Sequence, residues 1–303
     1  MAQTLAESAK LSQDDLQRGV IETFVQASPI LDRIPMTTVV GTHFAYNEEA
    51  TLPGVAFRAV NEAYTESTGT VNQRIENLVI LGGDADVDRF IVKTRADLND
   101  QRAIQSDLKV KAASIMFSDT FFNGDTAVDP KSFDGLRKRL TGSQVIDAGA
   151  VDPLTGGYDF FDKLDALLGA VPGINAQTGA IYMNSGLIAK LRSSFRRQGN
   201  GELLMADIAG KLSPTWNGIP LLDAGQRADG TDIVPSTDAY AVRFGSGEND
   251  MAVTGLTNGG VDAYDLGEVH DKPVYRTRIE FYCGIAVFGG RAAARLTNVG
   301  AGA

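Results

Sequence analysis

Histidine, cysteine and tryptophan are nearly absent from this chain, with two, one and one copies among 303 residues. A lone cysteine rules out an internal disulfide. Its setting, RIEFYCGIAVF around Cys283, reads as a small buried apolar residue. Neither His43 nor His270 has a second metal-type ligand at useful spacing, which counts against a histidine zinc site or a histidine-dependent nucleophile. No apolar run approaches the roughly 18 residues that a membrane-spanning helix needs. The opening MAQTLAESAK lacks the cationic-then-apolar layout of a signal peptide, so the expectation is a cytosolic protein without a membrane role. Lysine is missing between Lys10 and Lys93. Basic residues are outnumbered, 28 to 38, for a net charge of −10. A chain that grips nucleic acid through phosphates needs a basic face, and only Arg137-Lys138-Arg139 and Arg192 with Arg196-Arg197 come near one. Neither a P-loop nor a G-x-S-x-G elbow is present, and FGSGENDMAVTG lacks the third glycine of a dinucleotide fingerprint.

What is present is a mixed α and β pattern punctuated by 33 glycines and ten prolines, a signature of turns. Ser12 and Asp15 form a variant capping box. Leu16, Val20 and Phe24 then recur every four residues, as do Ile21 and Val25, which predicts an amphipathic helix ending near Ser28-Pro29. Nothing adjacent in sequence buries its stripe, so it is expected to dock elsewhere, on a neighbouring subunit. TTVVGTHFAYNEE, GVAFRAV and RIENLVIL read as strands, with Pro53-Gly54 as a turn between the first two. With the polar stretch NEAYTESTGTVNQ they suggest a long hairpin with a mostly hydrophilic tip. Such a ribbon buries too little to stand alone.

From Asp97 to Phe122, Leu98, Ile104, Leu108, Ala112, Ile115 and Phe122 recur at helical spacing without an intervening glycine or proline. This predicts a rod of about 35 to 40 Å. It should stop at Asn123-Gly124. Residues 155 to 235 look α/β: DFFDKLDALLGAVP helical, GAIYMN a buried strand, and SGLIAKLRSSFRRQ a helix capped by Asn184 or Ser185. WNGIPLL and DAYAVRFG are strand-like. Near the C-terminus, Val274, Arg276, Arg278, Glu280 and Tyr282 alternate with Tyr275, Thr277, Ile279, Phe281 and Cys283, a half-buried strand with one charged face.

Three clusters invite a chemical reading. Asp84, Asp86 and Asp88 start like a calcium loop, but Arg89 and Arg95 occupy the places where glycine and glutamate belong. The expectation is a solvated strand face. Ser185 at a strand–helix junction has no histidine in pattern and reads as a cap. Asp119, Asp125, Asp129 and Asp134 are numerous enough for acid–base work. Yet Asn-Gly-Asp, Asp-Pro and Phe-Asp-Gly are also what helix ends and turns require. No catalytic residue, metal ligand or cofactor is expected.

The order of these parts resembles the major capsid proteins of tailed bacteriophages, the Hong Kong 97-type shell fold shared with encapsulins. The resemblance rests on VIETFVQASPILDRIPM, VAFRAVNEAYTESTG with Arg58, Asn61 and Glu62, ENLVILGGDADVDR, the helix into FFNGD, FDGLRKRL, AIYMNSGLIAKLR, WNGIPLL and YAVRFG. Together these span about residues 20 to 290. The resemblance implies an α+β chain with an N-terminal arm (1–36) and an extended β-hairpin, the E-loop, with flanking strands (37–80). A peripheral domain with a spine helix about 97–122 (81–150), an axial domain (151–265) and strands returning to the peripheral domain (266–303) complete it. FFNGD then ends the spine helix, and FDGL begins the link to the axial domain.

By the same resemblance, the chain assembles as pentamers and hexamers into an icosahedral head around double-stranded DNA, in the host cytoplasm. Leu16, Val20 and Phe24 of the arm, and Glu48, Glu49, Pro53, Arg58 and Glu62 of the hairpin, would make inter-subunit contacts. Scaffolding, portal and decoration proteins are the implied partners, with DNA held weakly on the inner face. A lysine-free hairpin cannot donate to the isopeptide weld of some relatives, so a noncovalent shell is expected. Only about 35 residues precede the hairpin, which points to a separate scaffolding protein. An encapsulin compartment, a gene-transfer particle and a carboxylate hydrolase built on Asp125 and Asp134 are the rival readings.

Overall fold

The computed structural model of the chain describes residues 28–95, 101–156, 158–197, 205–208, 211–247 and 250–300. The predicted arm helix, with its Ser12–Asp15 cap and Leu16, Val20 and Phe24, lies outside these residues. The chain enters the body at Ser28, whose hydroxyl accepts the N–H groups of Ile30 and Leu31 at 3.2 and 3.4 Å and so caps a turn. Ile30, Leu31 and Ile34 are fully buried just behind it. Strands β1 (Met36–Thr38), β2 (His43–Thr51), β3 (Thr70–Asn77) and β4 (Val79–Asp88) follow. Asp88 then caps α1 (Arg89–Arg95) by accepting the Phe90 N–H at 2.7 Å.

The long helix α2 (Gln101–Asn123) ends where the sequence predicts. Its buried side is Ser106, Val110, Ser114, Phe117, Ser118 and Phe121, whereas Ile104 and Leu108 are 40% and 54% exposed. Three serines share the buried side with Val110, Phe117 and Phe121. Small side chains let the helix sit close on the sheet, and Ser118 satisfies its own hydroxyl by donating to the Ser114 carbonyl at 2.9 Å.

After α3 (Leu136–Arg139) and β5 (Val145–Asp147), helices α4 (Asp159–Gly169) and α5 (Ser185–Arg197) flank the fully buried β6 (Gly179–Met183). Asn184 is the cap of α5, its Oδ1 accepting the Leu187 N–H at 2.7 Å. Next come β7 (Met205–Ile208), β8 (Lys211–Trp216), β9 (Ile219–Asp223) and β10 (Ala239–Arg243). Between β8 and β9, Asn217 and Gly218 both take positive φ, the tight turn that WNG encodes. The chain closes with β11 (Val253–Glu268), β12 (Val274–Val287) and β13 (Ala293–Thr297).

The strands form a four-stranded sheet, β1-β11-β12-β4, a seven-stranded sheet, β5-β13-β10-β6-β9-β8-β7, and the separate β2-β3 ribbon. Entry to the four-stranded sheet from the C-terminal half begins at Val253, and the last strand, β13, joins the seven-stranded sheet. α2 packs on the first sheet through Phe117, whose ring centre lies 5.8 Å from that of Phe281. Phe122 at its end meets Tyr182 and Tyr240 of the second sheet at 5.6 and 5.0 Å. One apolar core thus joins both sheets. A second lies under α4 and α5, where Phe160, Leu164, Leu187 and Leu191 cover the β6 and β10 face.

Candidate assembly surface

The β2–β3 ribbon is rooted firmly, and no other described element covers its outer half. At the root, Tyr46 is buried against Phe288 in an edge-to-face contact with ring centres 5.0 Å apart, and its hydroxyl donates to the Val287 carbonyl at 3.2 Å. Burial first, then the neighbouring Glu76, pushes its phenol up to about 12. Glu76 is gripped by the fork of Arg139: Nη2 lies 2.6 Å from Oε2, and Nη1 bonds Oε1. Helix α3 thereby fastens the ribbon to the end of α2. Further out, Glu48 accepts from Arg74 Nε at 2.9 Å and the hydroxyls of Thr51 and Thr70 meet at 2.6 Å. Glu49 stands opposite Val71 in the register.

Residues 54–60, GVAFRAV, form no strand, contrary to the sequence reading, and Pro53-Gly54 does not join two paired strands. The partner of β2 is β3, and the intervening segment pairs with no strand among the described residues. Nor is the tip hydrophilic at its leading side. Val55, Phe57 and Val60 are 96%, 108% and 90% exposed, with Leu52 and Tyr64 beside them. A small knot shapes this end. The Glu62 carboxylate accepts the Ala59 N–H at 2.9 Å, Asn61 takes φ +72°, and the Arg58 guanidinium reaches the Glu62 carbonyl and lies 5.2 Å from the Tyr64 ring centre. Arg58 and Glu62, the charged residues nominated from sequence, thus fix the shape of an apolar tip. The apolar residues themselves went unnominated. Their signal was strand-type composition in a stretch with no second strand to meet it.

Beneath the ribbon a cleft of about 720 Å³ separates the bend from β3 into β4 and the loop after α2. That loop explains FFNGDTAVDPKSFDGL. Gly124 donates to the Thr120 carbonyl and Gly135 to the Gly124 carbonyl, each at 2.9 Å, so the loop leaves and returns at one point. The carboxylates inside it are its ties. Lys138 Nζ bridges Asp125 Oδ1 at 2.6 Å and Asp134 Oδ1 at 2.9 Å. Asp134 also accepts the Thr126 N–H at 2.8 Å. Burial opposes the charge on Asp134, yet the Thr126 N–H and the Lys138 ammonium hold its carboxyl down at about 2. Asp129 accepts the Lys131 N–H at 3.0 Å, and Asp119 accepts from Arg227 and Asn123, both at 2.8 Å. Carboxylates committed in this way are poorly placed as a general acid and base.

The two charged faces read separately from sequence are one structure. Arg276 grips Asp86 through two bonds of 2.7 Å, and Arg278 grips Asp84 at 2.7 and 2.9 Å, each pair directly opposed across β4 and β12. These guanidinium bonds draw both carboxyls below the usual range. Cys283 is buried, and that burial pushes its thiol up. Among the described residues no group of three or more His, Cys, Asp or Glu is placed to hold a metal ion. No helix among them is long and apolar enough to cross a membrane.

Residues 12–155 match the model of the family described as major capsid protein GP7. No curated protein matches the chain. Among solved structures, the chain is similar to the holo-SrpI encapsulin complex of Synechococcus elongatus, with a TM-score of 0.67 at 19% identity, covering 99% of this chain and 96% of that one. It is also similar to the capsid of an empty GTA particle (TM-score 0.65, 16% identity, 90% of each chain). A chain from Mycobacterium phage Bobi gives a TM-score of 0.62 at 14% identity, over 97% of this chain and 98% of that one. The chain therefore has the Hong Kong 97-type shell fold, and its resemblance to the major capsid proteins of tailed bacteriophages is borne out.

Proposed function

We propose that this chain is the major capsid protein of a tailed bacteriophage, assembling as pentamers and hexamers into an icosahedral head around double-stranded DNA. The observation that carries this reading is the tip of the ribbon, where Leu52, Val55, Phe57, Val60 and Tyr64 stand in water on a stem too thin to cover them. Burying one such side chain is worth about 1.5–3 kcal/mol, and only another copy of the chain offers a matching surface at every position of a shell. Glu48, Glu49 and Pro53 line the stem leading to the contact, and Arg58 and Glu62 hold the tip in shape for it. The role is structural rather than enzymatic, since Asp119, Asp125 and Asp134 are bound to cations and backbone.

Assembly takes place in the host cytoplasm with scaffolding and portal proteins, and the finished shell is the virion capsid, with decoration proteins as outer partners. The acidic balance suits a wall that holds packaged DNA weakly. Firm binding of duplex DNA by purified shells at physiological salt would overturn that part. A second reading, an encapsulin compartment, is favoured by the fold similarity to the SrpI complex. Negative-stain microscopy of the purified protein, followed by analysis of what the particles hold, separates the readings. Closed particles with DNA support the phage head, closed particles with protein cargo support the compartment, and monomers alone defeat both.

A further inference from the structure

Two stretches of this chain carry backbone without a partner strand among the described residues, and they lie at opposite ends of the ribbon. The first is residues 55–58 at the tip. All four are exposed, and their backbones make no hydrogen bond to another described residue. The second is the far edge of β3 and β4 at the root. β3 pairs only with β2, and β4 ends the four-stranded sheet beside β12, so no described strand lies on their other side. Residues 75–80 all line the 720 Å³ cleft. A cleft beneath the face of a strand would be lined by alternate residues, so six in a row mean that it opens along the edge. Ile75 and Ile80 stand there 59% and 72% exposed, and Pro130 and Phe133 of the loop after α2 form the opposite wall.

We propose that residues 55–58 of one copy add as an extra strand to the edge at 75–80 of the next copy. An open edge is a template for pairing with another chain. Main-chain hydrogen bonds supply the affinity of such an addition, and alternate side chains supply the fit. In an extended segment Val55 and Phe57 point to one side and Ala56 and Arg58 to the other, so the two large apolar groups enter the cleft together. Ile80, paired with Tyr282, is on the sheet face away from α2, the side left to Ala56. The chain cannot make this contact with itself. Ala45 stands opposite Ile75, and from there to Thr51 the paired ribbon runs about 20 Å, holding the tip away from its own root. A contact of tip to root between copies is head-to-tail, the kind that closes rings.

The proposal rests on the shell reading and says where the tip goes. Ala56→Cys with Ile80→Cys in one chain, oxidised after assembly, is expected to give a ladder of covalent multimers on a non-reducing gel. The yield should be at least about tenfold above that of either single-cysteine variant. Cys283 is fully buried and leaves the engineered thiols unconfused. Particles without a ladder overturn the proposal and leave the shell reading standing, whereas an unaltered chain that forms no particles defeats the shell reading itself. Hydrogen exchange on the unaltered chain decides the case in which the double variant fails to assemble. Amides 55–58 and alternate amides of 75–80 should exchange at least about tenfold more slowly in particles than in subunits before assembly. Unchanged rates overturn the proposal. Slowing at 75–80 without slowing at 55–58 also overturns it, by giving the edge to another segment.

Discussion

Gly135 donates its backbone N–H to the carbonyl of Gly124 at 2.9 Å, so the two glycines of FFNGD and FDGL touch across the loop that follows α2. A Cβ on Gly135 would fall 2.5 Å from the Thr120 carbonyl and 2.7 Å from the Gly124 nitrogen, against backbone that cannot yield without shifting the end of the helix. Gly135→Ala is therefore expected to destabilise the subunit by about 1–3 kcal/mol. Denaturant unfolding of the isolated chain measures this, and a wild-type midpoint would show that the close approach carries no stability.

Acid should loosen the same loop. The folded carboxyl of Asp134 titrates at about 2, below its ordinary 3.8, and those of Asp84 and Asp86 are also lowered. Their contribution to stability is complete above the ordinary value and is lost as pH falls through the folded values. The unfolding midpoint should be level above about pH 5 and drop between about pH 4 and 2. Asp134→Asn should flatten part of that drop, and an identical slope in the variant would assign the acid sensitivity elsewhere.

At the root of the ribbon, Arg139 and Glu76 are each only 16% exposed at the side chain. Removing one partner leaves the other charge largely desolvated, so Arg139→Ala is expected to cost about 3 kcal/mol. The variant should also make residues 52–69 cleave faster in limited proteolysis. Arg139→Ala with Glu76→Gln should recover part of the loss, because the stranded charge is gone.

Phe57→Glu alters a side chain that touches little of its own subunit, so the unfolding midpoint should stay within about 0.5 kcal/mol of wild type. Particle formation, followed by sedimentation, should be lost. Particles from the unaltered chain should dissolve on denaturing gels into a single-chain band, since β2, β3 and the tip contain no lysine. A ladder of covalent multimers would refute the noncovalent shell.

Much of this fold could be read from residue order. Strict alternation from Val274 to Cys283 located β12 and its buried face, Asn123-Gly124 located the end of α2, and Asn184 located a cap, because each signal is local and steric. The errors came where a second surface decides. GVAFRAV has the composition of a strand but no partner backbone among the described residues, and which side of α2 packs inward depends on the sheet beneath it. The Asp84, Asp86, Arg276 and Arg278 ladder was visible only as two separate faces, since strand pairing across nearly two hundred residues is a tertiary fact.

β3 and β4 run as one course of chain from Thr70 to Asp88, interrupted only at Leu78, and β4 is hydrogen-bonded to β12 from Val79 to Asp88. A pull at the ribbon tip along its length therefore loads that whole row of bonds sideways and simultaneously, instead of peeling them one by one. The ribbon is in effect a tether spliced into the main sheet, able to bear tension from an adjoining subunit without tearing from its base.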